Sequence, residues 1–285
     1  MIEILKAILF GIVEGVTEWL PVSSTGHMII LDEFVKLNVS EEFYKLFEVV
    51  IQLGAILAVI LIFWDKLWPF TMRRKKIEGV TAIRETPGWK DGALSLWIKI
   101  VVACIPAAVV GIGLDDKIDE LFYHPIPVAL ALIIVGILFI VIESTISGKR
   151  TPVITELEQL SMKSVIIIGL AQTLAAVFPG TSRSGATILA ALCIGVSREV
   201  AAEFTFFLAV PVMAGASLLK LIKFLAQGAS MTGQEAVILV VGCVVAFAVS
   251  MFVIRFLMGY IKEHDFKPFG WYRIVLGVLV IALVR

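Results

Sequence analysis

The chain has 285 residues, of which 59% are hydrophobic and only 17% are charged, and its formal net charge is zero. A water-soluble domain averages roughly a quarter charged residues, so the composition argues against an ordinary soluble enzyme and predicts an integral membrane protein. A net charge of zero also removes the basic field that attracts nucleic acid, which is therefore not an expected partner.

In chain order, the first predicted element is a broken hairpin over about 4–35. An apolar helix of marginal length runs into Pro21 and a polar cluster, and a second short apolar helix follows. Irregular backbone at membrane depth survives only where protein or water satisfies it, so we predict a re-entrant helix–loop–helix. The first apolar helix carries Glu14 and Glu18 and lacks a small-x-small cleavage pattern, so we do not expect a cleaved signal.

Six apolar runs are long enough to cross about 30 Å of hydrocarbon as helices. They lie near 46–63, 94–114, 126–143, 200–222, 235–258 and 270–284. A second broken hairpin is predicted over about 164–196, interrupted at Pro179 and the polar run that follows it. The predicted fold is an all-α integral membrane protein, with about six transmembrane helices and two re-entrant helix–loop–helix hairpins.

The two hairpins resemble each other in sequence. The spacing from Gly11 to Pro21 equals that from Gly169 to Pro179, and similar serine-rich runs follow both prolines. The repeat period is about 155 to 160 residues, which divides one membrane domain into two related halves. The predicted halves are about 1–147 and 148–285. Each holds one hairpin and three spans, and an odd number of crossings predicts an inverted-topology repeat.

Basic residues in the loops predict the orientation in the membrane, because cytoplasmic loops are enriched in lysine and arginine. The 64–93 connection is strongly basic, whereas the 115–125 connection has Lys117 among four acidic residues. The basic residues of the first are Lys66, Arg73, Arg74, Lys75, Lys76, Arg84 and Lys90. We therefore expect 64–93 on the cytoplasmic side, 115–125 outside, and the first hairpin entering from the outer face.

Two carboxylates occupy one stripe of the first helix. Gly11, Glu14, Gly15 and Glu18 are spaced by three and four residues, so they share a face. Paired carboxylates in hydrocarbon cost several kcal/mol unless a cation or a protein partner compensates them. One interpretation is simple pairing with a basic residue. The other is a divalent metal site, with Mg²⁺ or Ca²⁺ as the expected ion, since carboxylates suit hard cations that also bind phosphate oxygens.

Hydroxyl groups and a histidine follow the first break. Ser23, Ser24 and Thr25 are good helix-capping residues, and capping alone would explain them. However, His27 lies three residues after Ser24 and shares its helical face, which is typical of a nucleophile with its base. We expect Ser24 and His27 to be catalytic, and Ser23, Thr25 and Gly26 to line a substrate phosphate.

The second break supplies positive charge. Arg183 stands in a run of small and hydroxyl residues that opens a short helix, whose unpaired N–H groups favour an anion. Arg183 can hold a phosphate bidentately, and the alternative is that it only neutralises a glutamate. The expected phosphate-binding residues of this break are Ser182, Arg183, Ser184, Gly185 and Thr187.

Three further polar residues fall within predicted spans. They are Glu48, Gln52 and Glu203. We expect them to support the catalytic residues by tethering the hairpins rather than to act on the substrate.

The stretches from Glu14 to His27 and from Pro179 to Thr187 resemble the two signature motifs of the bacterial undecaprenyl-diphosphate phosphatase family, the bacitracin-resistance family. The resemblance covers essentially the whole chain. It implies hydrolysis of undecaprenyl diphosphate to the monophosphate and inorganic phosphate, which recycles the carrier lipid for peptidoglycan synthesis. The residues it carries over are Glu14, Glu18, Ser24, His27, Ser182, Arg183 and Thr187.

The resemblance also implies a multi-pass protein of the bacterial inner membrane, dependence on a divalent cation, and a site that opens to the outer face. The expected partners are the polyprenyl diphosphate and membrane lipids, with a homodimer as a candidate assembly. The competing class is a lipid-phosphate flippase, because inverted repeats with broken helices are a transporter design. Binding alone has little use for Glu14, Glu18, Ser24 and His27 together, which favours the enzyme.

Overall fold

The structure is a computed structural model, described here for residues 1–76, 83–90 and 92–283. The described residues leave out 77–82 and 91 of the basic 64–93 connection and residue 284 of the last predicted span. They also leave out the side chains of 72–76, 83–87, 115–116 and 119. The described chain is mainly helical. Its helices are α1 (Ile2–Thr17), α2 (Ser24–Phe34), α3 (Glu41–Ile62), α4 (Trp64–Leu67), α5 (Ala93–Phe122), α6 (Pro125–Ile142), α7 (Met162–Val177), α8 (Arg183–Cys193), α9 (Arg198–Ala226), α10 (Gly233–Tyr260) and α11 (Lys267–Leu283).

Five apolar segments among the described residues are long enough to cross a membrane. They are Glu41–Ile62, Ala93–Leu114, Pro125–Ser147, Arg198–Ala226 and Gly233–Tyr260. Each matches a predicted span. The sixth predicted span corresponds to α11, an apolar helix of 17 residues.

Both predicted breaks are present, and they have the same local geometry. The first separates α1 from α2 and the second separates α7 from α8. The residue before each short helix, Ser23 or Ser182, has a positive φ, of 72° and 69° respectively, which is uncommon for a residue other than glycine. Each serine hydroxyl accepts a hydrogen bond from the backbone N–H three residues later, that of Gly26 or Gly185. The cap stabilises the start of each short helix.

Small residues let the hairpins pack closely against the long helices. A Cβ added at Gly11 of α1 would lie 2.7 Å from the carbonyl oxygen of Gly242 in α10, and one at Gly169 of α7 would lie 2.5 Å from that of Ala103 in α5. The first hairpin therefore packs on a helix of the second half, and the second hairpin on a helix of the first half. This crossed packing brings the two breaks together inside the bundle.

A β-hairpin was not predicted from the sequence. Strands β1 (Phe70–Lys76) and β2 (Ile83–Trp89) pair antiparallel, with Phe70 opposite Trp89 and Lys76 opposite Ile83. Both strands lie within the basic 64–93 connection, for which the sequence predicted only an orientation. The all-α prediction is therefore correct for the membrane helices and incomplete for this connection.

Candidate active site

The carboxylate of Glu18 joins the two breaks. The Ser24 hydroxyl, at the start of α2, donates a hydrogen bond to Glu18 Oε2 at 2.7 Å. Arg183 Nη2, at the start of α8, donates to Glu18 Oε1 at 3.0 Å. The Glu18 and Arg183 side chains are only 8% and 11% exposed, so this hydroxyl–carboxylate–guanidinium chain is nearly dry. Residues that lie 165 positions apart thus form one buried polar group.

The Arg183 guanidinium is held from a second side by α9. Its Nη1 donates to the Thr205 carbonyl oxygen at 2.8 Å. The Thr187 hydroxyl, one turn further along α8, lies 2.8 Å from the Thr205 hydroxyl and also donates to the Arg183 carbonyl at 2.8 Å. These contacts fix the rotamer of Arg183 before any substrate arrives. Thr187 is buried and contacts the Arg183 backbone and the Thr205 hydroxyl, and its contact with a phosphate stays a prediction.

The serines of the second break fasten the hairpins to each other. The Ser184 hydroxyl donates to the carbonyl oxygens of Glu18 and Leu20, each at 3.4 Å. It also lies 3.0 Å from the Ser182 hydroxyl. Ser184 is buried, so its contacts serve the junction. Ser182 is the cap of α8, directly before Arg183 in the chain.

The predicted partnership of Ser24 and His27 is not a direct hydrogen bond. His27 Nδ1 lies 2.8 Å from the Ser23 carbonyl oxygen, and Nε2 lies 2.7 Å from the Tyr272 hydroxyl. A carbonyl can only accept, so Nδ1 carries a proton, and a neutral ring would accept from the Tyr272 hydroxyl at Nε2. The imidazole also stacks on the Tyr272 ring, with centroids 5.5 Å apart. The side chain in contact with the Ser24 hydroxyl is instead the carboxylate of Glu18. Thr25 is half-buried in the same first turn.

Glu14 lies one turn before Glu18 and is 1% exposed. Its Oε1 has no hydrogen-bond partner among the described residues, although the carboxylate interacts with the charges of Glu18, Glu48 and Arg183. A buried, unpartnered carboxylate oxygen beside a second carboxylate is a donor set that suits a hard cation. The described residues contain no cluster of three or more histidine, cysteine or acidic residues arranged for a metal. The fit is therefore to a divalent ion that takes its remaining ligands from water or phosphate.

The three supporting polar residues do not lie together. Glu48 interacts with Tyr44 and with the charge of Glu14, which places it beside the first hairpin. Gln52 follows one turn later and is half-buried. Glu203 instead pairs with Lys66, Oε1 to Nζ at 2.5 Å, and lines a separate cavity. The structure thus shows Glu203 paired with Lys66 rather than with a hairpin.

Sequence reasoning missed Arg273. This residue of α11 is fully buried, and its guanidinium donates to the carbonyl oxygens of Pro21 at 3.1 Å, Gly180 at 2.8 Å and Thr181 at 2.8 Å. It therefore ties both breaks to one helix and adds a second cation near the site. The available signal was a lone arginine in the middle of an apolar run, which is expensive in a membrane and usually functional.

Comparison with known proteins identifies the family of the chain. Residues 7–279 match the family described as bacitracin resistance protein BacA. The chain is 59% identical to an undecaprenyl-diphosphatase of Desulfitobacterium hafniense, which it matches over 99% of this chain and 96% of that protein. It is 55% identical to undecaprenyl-diphosphatases of Acetivibrio thermocellus and Enterococcus faecalis, in each case over 99% of this chain and 97% of the relative. The chain therefore belongs to the bacitracin resistance protein BacA family.

Proposed function

We propose that this chain hydrolyses undecaprenyl diphosphate to undecaprenyl phosphate and inorganic phosphate, and so recycles the carrier lipid of cell-wall synthesis. The observation that carries the proposal is the buried chain from the Ser24 hydroxyl through Glu18 to Arg183. It combines a nucleophile, a base in contact with it and a phosphate-binding cation. The relatives named as undecaprenyl-diphosphatases support the choice of substrate.

Arg183 is the group that receives the diphosphate. It is already fixed by Thr205 and Glu18, so binding the substrate costs little side-chain entropy. Its fork geometry matches two oxygens of a phosphate, and the buried surroundings strengthen the attraction. Arg273 and the N-terminal ends of α2 and α8 add positive potential on the same side.

Ser24 is the attacking group in this proposal. Its oxygen forms a bond to the terminal phosphorus while its proton passes to Glu18, and the bond from that phosphorus to the bridging oxygen breaks. Undecaprenyl phosphate leaves, with the bridging oxygen now part of its phosphate. Water then cleaves the phosphoserine, giving inorganic phosphate and restoring the Ser24 hydroxyl. Arg183 stabilises the charge on the transferring group in both steps.

Glu14 and Glu18 are the residues that would hold a divalent cation, Mg²⁺ or Ca²⁺. Glu14 would be the main ligand, because both Glu18 oxygens already accept hydrogen bonds from Ser24 and Arg183. A bound cation would neutralise part of the diphosphate charge. The unpartnered Oε1 of Glu14 supports this assignment.

The lipid chain can reach the site through an apolar cavity beside His27. This cavity of about 240 Å³ is lined by Val13, His27, Ile30, Leu31, Phe34 and Leu276. Apolar walls next to His27 suit the first prenyl units of the substrate. We place the site at the outer face of the bacterial inner membrane, since the basic 64–93 connection favours the cytoplasmic side.

The proposal includes an inverted repeat. Helices α1 and α10 pack together as α5 and α7 do, and α3 packs on α10 as α5 does on α9. The same packing pairs result when α1 is exchanged with α7, α3 with α9 and α5 with α10. The equal cap geometry of Ser23 and Ser182 supports the same relation.

Crossed packing of broken helices is also the observation that favours a second candidate, a lipid-phosphate flippase. Detergent-purified protein separates the two, because it has no membrane to cross. We expect steady phosphate release from undecaprenyl diphosphate in micelles, and none from a matched preparation of Ser24→Ala. Tight lipid binding without phosphate release would support the flippase instead.

A further inference from the structure

A second polar cavity lies away from the candidate active site. It has a volume of about 840 Å³ and is built by the end of α3, the starts of α5 and α9, the end of α10 and the segment before α7. Its described lining includes none of the residues assigned to diphosphate chemistry, namely Glu14, Glu18, Ser24, His27 and Arg183. This cavity is therefore separate from the candidate active site.

Ten charged side chains line this cavity, five basic and five acidic. Several of the carboxylates already have partners. Glu203 pairs with Lys66, Glu156 caps the short turn Leu157–Gln159, and Glu158 lies near the charge of Lys99. The acidic residues left for a ligand are Asp65 and Glu199, both exposed.

Two basic side chains near the end of α10 have no partner among the described residues. Arg255 of α10 and Lys262, which lies two residues after its end, are exposed and line the same cavity. Within the part of the chain that the structure describes, neither side chain makes a hydrogen bond or an ion pair. Lys99 is buried and donates only to the backbone oxygens of Leu157 and Glu158, at 3.2 and 3.0 Å. Arg255 and Lys262 are therefore the cations of this cavity that can receive an anion with several oxygens.

The cavity wall between the charges is apolar. Leu96 of α5 and Ile254 and Met258 of α10 contribute to it. On the neighbouring faces of these helices, Ile98 and Phe256 are 46% and 60% exposed, as expected for side chains that contact lipid. The occupant should therefore carry acyl or prenyl chains as well as an anionic head.

The end of α3 places this cavity at the level of lipid headgroups. Trp64 and Trp68 follow α3 directly, are both exposed, and stack with ring centroids 4.6 Å apart. Tryptophan is enriched at the membrane–water interface, where its ring meets headgroups. A cavity at that depth, with an apolar wall and unpaired cations, fits the headgroup of an anionic lipid.

We propose that this cavity is a second lipid-phosphate site, in which Arg255 and Lys262 bind the phosphate of an anionic membrane lipid while the apolar wall holds the start of its chains. The site is independent of the diphosphate chemistry assigned to Arg183. The shared ligand chemistry is an anionic phosphate group with several free oxygens, which either a lipid headgroup or free phosphate could supply.

The test measures equilibrium binding of radiolabelled phosphatidic acid to the full-length protein in neutral detergent. An Arg183→Ala background removes binding at the candidate active site. In that background we expect saturable binding that weakens about tenfold with Arg255→Gln or Lys262→Gln, and further in the double variant. The matched control is Lys149→Gln/Arg150→Gln, which removes two exposed charges outside the cavity.

Excess phosphatidylcholine and excess inorganic phosphate should not displace the label. Displacement by inorganic phosphate at the same concentration as the lipid would overturn the lipid assignment and make free phosphate the ligand. Unchanged binding in Arg255→Gln/Lys262→Gln, or an equal loss in the control pair, would refute the site. Phosphate release by Arg255→Gln/Lys262→Gln with Arg183 intact should equal that of the unmodified protein, which verifies its fold.

Discussion

Arg183 gives the most quantitative prediction of the proposed mechanism. Its guanidinium makes two hydrogen bonds within the protein, to the Thr205 carbonyl and to Glu18, and its Nε has no partner among the described residues. Each charge-assisted bond to a phosphate contributes about 1.5–3 kcal/mol. A two-pronged clamp is therefore worth about 3–6 kcal/mol, so Arg183→Ala should lower kcat/KM by roughly 10²- to 10⁴-fold.

Arg183→Lys separates fork geometry from charge. An ammonium can satisfy Glu18 or the phosphate, but it cannot also reach the Thr205 carbonyl in the same plane. We expect it to lose about half of the clamp, a decrease of roughly 10- to 100-fold in kcat/KM. The assay is phosphate release by purified protein, with exposed Arg150→Lys as the matched control.

Loss of folding must be separated from loss of catalysis in these variants. Removing Arg183 leaves Glu18 buried without its cation, which can cost about 3–5 kcal/mol of stability. Thermal unfolding in detergent should therefore accompany each rate. Near-normal turnover by folded Arg183→Lys would refute the clamp and leave the arginine only a charge-balancing role.

Three further predictions follow from the metal, the orientation and the packing. Chelation should abolish phosphate release, and Glu14→Gln should raise the cation concentration that gives half the maximal rate. Full activity in excess chelator would refute a role for a metal in the mechanism. Single cysteines in 115–125 should react with an impermeant thiol reagent outside whole cells and those in 70–90 should not; the reverse labelling would invert the orientation. Gly54→Ala should unfold at a markedly lower temperature, because its Cβ would lie 2.0 Å from the Cys243 carbonyl oxygen. The control Gly215→Ala has open space around it and should be neutral or stabilise the protein by up to about 1 kcal/mol. Equal unfolding temperatures for the two variants would refute the close approach at Gly54.

The positions of the breaks could be predicted from the sequence because they depend on local chemistry. A proline followed by serines inside an apolar run has few structural explanations in a membrane. The residues that meet at the junction were predicted for the same reason, since both breaks carry polar side chains that need partners. Glu18, Ser24 and Arg183 are all predicted as site residues from the sequence.

The contacts between distant segments could not be predicted. Helical spacing placed His27 on the face of Ser24. In the structure the imidazole instead makes a hydrogen bond with Tyr272, 245 residues away, and the Ser24 hydroxyl donates to Glu18. Glu203 was expected to tether a hairpin, yet its partner Lys66 comes from α4. Pairings of this kind depend on tertiary packing, which no local period encodes.

The β-hairpin was missed for a different reason. Its strands contain lysines, arginines and a proline, so composition favours a solvated loop, and strand propensity depends strongly on context. Arg273 was missed because the surrounding run is apolar enough to mask one charge. Its three carbonyl acceptors come from the backbone of both breaks, and backbone groups leave no sequence signal.

The most direct test of the central claim is phosphate release from undecaprenyl diphosphate by detergent-purified Ser24→Ala, compared with Ser23→Ala and the unmodified protein. Ser24 is the hydroxyl in contact with Glu18, whereas Ser23 caps α2 and holds its first turn. We expect Ser24→Ala to bind lipid and cation normally and to release no phosphate above background, while Ser23→Ala is only slowed. Substantial release by Ser24→Ala with both sites intact would contradict the account, and would make water or His27 the attacking group.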